Sequence, residues 1–108
     1  MSQLSNSPCG YGGSTALYAF SADPITFGHI NIVERVSQTF SRVIVGIGRN
    51  PSKRYLFSLD ARLHLARQAL RHLSNVCVLP FNGMVVDFAS EQGASVIVKG
   101  VRNASDFD

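Results

Sequence analysis

Thr26-Phe27-Gly28-His29, Lys53, Lys99 and Arg102 are the residues whose types and spacing suit phosphate chemistry. The first four lie where a loop should enter a helix. A helix start offers unpaired N–H groups and the positive end of the dipole, which favours an anion. Gly28 removes a side chain where a ligand could approach, and His29 can donate to a phosphate oxygen. The same four residues also fit a histidine packed at a helix start, with Gly28 serving only the turn. Lys53, in Asn50-Pro51-Ser52-Lys53-Arg54-Tyr55, fits either a phosphate clamp or a solvated loop. Lys99 and Arg102 follow an apolar run directly, where cations are less commonplace. Asp23 could orient a ligand or cap the Pro24 turn. Arg62, Arg67 and Arg71 read as a solvated helix face.

These residues need elements to position them, and the apolar pattern supplies an alternation. Thr15 to Phe20, Arg42 to Gly48, Asn75 to Leu79 and Ser95 to Val98 are short apolar runs that predict buried strands. Gly28 to Phe40 carries Ile30, Ile32, Val33, Val36 and Phe40 at helical spacing. Ser58 is a good N-cap for a helix to Leu73 that buries Leu63, Ala66, Leu70 and Leu73, with Asp60 in its first turn. Met84 to Gln92 predicts a short helix closed by Gly93. The order βαβαβαβ with crossovers of this length predicts a doubly wound parallel sheet with right-handed connections. In such a sheet ligands bind beyond the carboxyl ends of the strands. Ser21 to His29, Arg49 to Lys53, Phe81 to Met84 and Lys99 to Arg102 should therefore converge on one crevice.

Composition excludes other classes. The 108 residues make one domain, 45% apolar and only 16% charged, so the chain is not disordered. So few charges leave little polar cover, and part of the chain could pack against a partner. No apolar run approaches the ~18 residues needed to cross a bilayer. The net charge of +3 and pI of about 9.2 reflect ten Lys and Arg spread from Arg35 to Arg102 with no dense block. That spacing suits anionic small molecules better than nucleic acid. Cys9 and Cys77 have no CxxC spacing, which argues for unpaired thiols in a cytoplasmic protein. Met1 to Ser14 has neither a basic start nor an apolar stretch and reads as a flexible leader. No Walker-type loop, GxSxG elbow or carboxylate cluster is present in the sequence.

Four stretches carry a resemblance. They are DPITFGHINIVERV from Asp23, VIVGIGRNPSK with LFSL from Val43, VVDFA with EQGA from Val85, and VIVKGVRNASDF from Val96. Over Tyr18 to Asp108 the sequence resembles the phosphopantetheine adenylyltransferases, a branch of the TxGH nucleotidyltransferases. The resemblance implies a Rossmann-like nucleotidyltransferase domain over residues 15–108, incomplete at its C-terminus. It implies adenylyl transfer from ATP to 4′-phosphopantetheine, with Mg²⁺ assisting and a homo-oligomer, a hexamer in the family. By the same resemblance His29 and Lys53 are catalytic. His29 would hold the α-phosphate, and Lys53 would bridge the phosphates of both substrates. Ser21, Met84, Val85 and Lys99 would bind the acceptor. Ser21, Ala22, His29, Gly100 and Arg102 would bind ATP.

The departures are specific. The family usually reads YPGTFDP where this chain reads YAFSADP, from Tyr18 to Pro24. Phe20 stands for a Gly and Ala22 for a Phe. If one strand ran through both, they would face the same way and the aromatic would refill the same volume. Phe27 stands for an Asn. Lys99 stands for an Arg and lacks its bidentate grip. A family member continues past this point with a further strand and a Ser-rich segment for the triphosphate. Two other functions fit the same residues: a relative or fragment that binds nucleotide or coenzyme A without turnover, and a transferase for another acceptor such as nicotinamide mononucleotide.

Overall fold

The computed structural model describes residues 14–99. The leader up to residue 13, Cys9, Gly100 and Arg102 lie outside the described residues. The described chain forms β1 (Thr15–Phe20), α1 (Phe27–Thr39), β2 (Arg42–Arg49), α2 (Leu59–Leu70), β3 (Val76–Asn82), α3 (Val85–Gln92) and β4 (Val96–Val98). All strand pairs are parallel, in the order β3-β2-β1-β4. The expected alternation and the parallel α/β sheet are therefore present.

The two central strands explain their own composition. β1 pairs with both β2 and β4, and β2 with both β1 and β3. Strands covered on both faces need apolar residues at successive positions rather than alternate ones. Ala16, Leu17, Val43, Ile44, Val45 and Ile47 are accordingly all buried. One face of the sheet, through Tyr18, Val43, Val45, Ile47 and Val78, packs on Val33 of α1 and on Leu63, Ala66 and Leu70 of α2. Leu17 and Ile44 on the opposite face pack on Phe88 and Ala89 of α3. The chain thus winds from β1 out to β3 on one side. It then returns across the other side to β4, so the winding direction reverses between β1 and β4.

Two boundaries differ by more than one residue from the sequence expectation. β3 runs on through Pro80 to Asn82 instead of stopping at Leu79. Proline normally ends a strand, but β3 is an edge strand, where a missing N–H breaks no ladder bond. α2 stops at Leu70 and not Leu73. Leu73 still packs on the core, from a turn in which its N–H donates to the Leu70 carbonyl at 3.0 Å, so its apolar character imitates another helical turn. Ser58 caps α2 as expected, accepting from the Ala61 N–H at 3.1 Å. Gly93 closes α3 at φ 71°, a conformation that favours glycine. The expectation of unpaired thiols fails at Cys77, whose sulfur is disulfide-bonded. Among the described residues no helix is long and apolar enough to cross a membrane.

Candidate active site

Thr26 and His29 build the first part of the site. Thr26 is the N-cap of α1, and its hydroxyl oxygen accepts from the His29 N–H at 3.3 Å. The Thr26 N–H donates to His29 Nδ1 at 3.1 Å, and the hydroxyl lies 3.0 Å from the same nitrogen. This is a capping box with histidine in place of the usual Glu or Gln. An Nδ1 that accepts a backbone N–H places the hydrogen of the neutral ring on Nε2. The TxGH motif therefore fixes the histidine's position and tautomer together. Phe27, the first residue of α1, is 89% exposed and so takes no part in the core.

Phe20 ends β1 and stacks on the His29 ring, with centroids 4.4 Å apart. Its other neighbour is the Tyr18 ring at 4.5 Å. The premise that Phe20 and Ala22 share a strand is overturned. β1 stops at Phe20, and Ala22 sits at φ 52°, off the strand. Ala22 is also 2% exposed and packed in the core, so its side chain is not available to a nucleotide. The aromatic at position 20 supports the histidine ring. Phe20→Gly removes half-buried aromatic packing and loosens the end of β1. Its cost should be about 2 kcal/mol, or a fall of roughly 10 °C in Tm for a domain this size. A thermal scan of the variant checks this, and a gain in ATP affinity at unchanged Tm would mean that Phe20 blocks the site instead.

The end of β2 supplies the second part. Asn50 organises a tight turn: its Oδ1 accepts from the Ser52 N–H at 3.0 Å and the Ser52 hydroxyl at 2.8 Å. Its carbonyl accepts from the Lys53 N–H at 3.0 Å. Lys53 is exposed and lines a cavity of about 280 Å³ together with Phe20, Ser21, Arg49, Phe81 and Val85. A wider cavity of about 580 Å³ lies beside it, lined by Arg49, Lys53, Tyr55 and the start of α2. The structure thus brings Ser21, Lys53 and Val85 together. His29 is not on the wall of the smaller cavity and touches that wall through Phe20. Met84, the N-cap of α3, is 66% exposed and outside the lining. Lys99 directly follows β4, whose Val98 pairs with Tyr18, so it lies at the same edge of the sheet.

Asp23 has a structural role that neither sequence reading named. Its carboxylate accepts the Leu56 N–H at 2.6 Å and the Phe57 N–H at 2.8 Å, tying the β1–α1 connection to the loop before α2. Charge-assisted bonds of this kind contribute about 1.5–3 kcal/mol. Asp23→Ala should lose about 2 kcal/mol in a urea titration, with unchanged secondary structure by circular dichroism.

Arg62 is the residue that sequence reasoning missed. It is 1% exposed, not solvated. Its Nη1 donates to the carbonyls of Ser21 and Gly48, each at 2.9 Å, and its Nε to the Phe57 carbonyl at 3.3 Å. The signal was present in the spacing. Arg62 follows Leu59 by three and precedes Ala66 by four, which places it on the buried stripe. Arg67 and Arg71 are exposed as expected, although Arg67 also donates to the Val78 carbonyl at 2.9 Å.

A parallel sheet with this strand order and a capped histidine beside its carboxyl edge defines a class. The chain belongs to the cytidylyltransferase-like family, which its residues 18–108 match. Among curated proteins it is similar to the phosphopantetheine adenylyltransferase of Heliobacterium modesticaldum, at 50% identity over 95 residues. That alignment covers 88% of this chain and 56% of the relative, so the chain spans little more than half the relative's length. Solved structures agree on the fold. A lipopolysaccharide core biosynthesis protein from Thermoplasma volcanium superposes with a TM-score of 0.60 at 17% identity, over 80% of this chain and 73% of that one. Protein Rv1636 from Mycobacterium tuberculosis superposes with a TM-score of 0.58 at 18% identity, over 88% and 79%.

Proposed function

We propose that this chain carries the nucleotidyl-transfer part of a phosphopantetheine adenylyltransferase. Its reaction is adenylyl transfer from ATP to 4′-phosphopantetheine, giving dephospho-coenzyme A and pyrophosphate. The observation that carries the reading is the 50% identity to a curated enzyme of that name across nearly the whole chain. The geometry supports it. A phosphate acceptor is already an anionic nucleophile, so no strong base is needed. Its oxygen bonds to the α-phosphorus as the bond from that phosphorus to the bridging oxygen breaks, and pyrophosphate leaves with the electron pair. Such a transfer depends on alignment and on stabilising charge at the phosphoryl oxygens. His29, with its hydrogen on Nε2, is suited to donate to an α-phosphate oxygen. Lys53, on a turn held by Asn50, suits the neutralisation of phosphates from both substrates. Val85 and Ser21 would line the acceptor's path, and Lys99, Gly100 and Arg102 would complete the phosphate grip.

Mg²⁺ fits this site only as a companion of the nucleotide. Among the described residues no group of three His, Cys, Asp or Glu could hold a metal ion, and Asp23 is engaged with backbone N–H groups. No step is assigned to an ion held by the protein.

One observation favours a second reading, nucleotide or coenzyme A binding without turnover. Phe20 lies between His29 and the cavity. Pyrophosphate release with ATP, Mg²⁺ and 4′-phosphopantetheine, compared with His29→Ala, separates the two. Release that depends on His29 supports the transferase. Binding of ATP by calorimetry without release supports the second reading. Nicotinamide mononucleotide as a parallel acceptor tests the substrate assignment.

A further inference from the structure

Arg62 is a buried cation for which the transfer chemistry has no direct use. Its hydrogen-bond partners are backbone carbonyls, not carboxylates. A guanidinium so deeply buried is tolerated only when its donors are well matched, and its planar fork reaches several acceptors at once. The acceptors are informative. Phe20 pairs with Ile47, so Ser21 and Gly48 stand side by side where β1 and β2 give way to the site. Arg62 therefore holds the mouths of two neighbouring strands together.

The contacts continue to Lys53. The Arg62 guanidinium carbon lies 3.8 Å from the centre of the Tyr55 ring, within cation–π range. The Tyr55 hydroxyl oxygen accepts the Asn50 N–H at 3.0 Å. Asn50 in turn organises the turn that presents Lys53. Asp23 fixes the far end of the same loop to the connection that leads into Thr26 and His29.

We infer that Arg62 is a positioning residue that, through Tyr55 and Asn50, fixes the Lys53 turn relative to the His29 helix. Its effect on turnover rests on the adenylyl-transfer reading; its effect on the turn does not. Lysine cannot replace it, because one ammonium cannot span the Ser21, Gly48 and Phe57 carbonyls from the arginine's positions. Displacing a group that acts only in the transition state lowers kcat more than it raises KM.

The test uses the full chain, with Arg62→Lys and Tyr55→Phe beside the wild type. Tyr55→Phe keeps the ring over Arg62 and removes the hydroxyl that accepts from the Asn50 N–H and donates to the Gly48 carbonyl at 3.5 Å. Amide hydrogen exchange by NMR is read at Asn50 and Lys53 and, as a control, at Ile44 and Val45 in the centre of β2. Pyrophosphate release is measured in parallel. Both variants should speed exchange at Asn50 and Lys53 by about tenfold and leave Ile44 and Val45 unchanged. Where the wild type turns over, kcat should fall about tenfold or more, with KM for ATP within about threefold. Unchanged exchange in the turn overturns the inference, as does an equal rise at Ile44 and Val45, which marks a merely structural role. If Arg62→Lys does not fold, Tyr55→Phe decides alone. A turn that loosens in a wild-type background without turnover sinks the adenylyl-transfer reading and leaves the positioning of the turn standing. Turnover that survives a loosened turn undiminished leaves the adenylyl-transfer reading standing and overturns the turn's role in turnover.

Discussion

His29→Ala should reduce pyrophosphate release from ATP and 4′-phosphopantetheine by about two to three orders of magnitude, the loss expected when one donor to a developing charge is removed. The size follows from preorganisation. The Thr26 N–H holds Nδ1, so the ring stands ready with Nε2 as its donor and needs no rearrangement as charge builds. Two features of the variant should separate chemistry from folding. The side chain also closes the capping box and stacks on Phe20, so stability should fall by about 1 kcal/mol. That loss is too small to unfold a domain of ordinary stability. His29→Gln, which retains an acceptor for the Thr26 N–H, should recover most of the stability and little of the rate. A variant that kept near-normal turnover would remove His29 from the mechanism.

Arg62→Ala should be strongly destabilising, at about 3–5 kcal/mol in urea unfolding. The substitution strands the Ser21 and Gly48 carbonyls beside a cavity where a guanidinium stood. Losing one partner of a buried polar network costs far more than the network contributes when intact. Against a typical domain stability of about 5–15 kcal/mol, that loss removes a large part of the margin and lowers Tm steeply. A solvated helix-face arginine would cost less than about 0.5 kcal/mol, so this measurement separates the two roles sharply. The tertiary clamp predicts that the loss is specific to position 62. Arg71→Ala, on the exposed side of the same segment, should be nearly neutral.

Much of this protein was determined by its sequence alone. β1 was legible to the residue, because a strand buried on both faces must be apolar at successive positions, and Thr15–Phe20 is. α1 and the cap of α2 were legible because capping and helical periodicity are local. The meeting of the segments after β1, β2 and β3 at one cavity followed from the alternation of elements and the handedness of crossovers. Where local signals compete with neighbours far along the chain, only the tertiary structure decided. Pro80 stays in a strand because β3 has no outer neighbour among the described residues. Ala22 leaves the strand and turns inward at positive φ, so Phe20 packs against His29 rather than replacing a lost aromatic. Asp23 serves amides 33 and 34 residues away. Arg62 lies on the buried stripe, but a charge is expected in water unless partners await it, and its partners come from the residue after β1, from β2 and from the loop between β2 and α2. Spacing shows which way a side chain points; whether acceptors wait there depends on strands brought together from elsewhere in the chain.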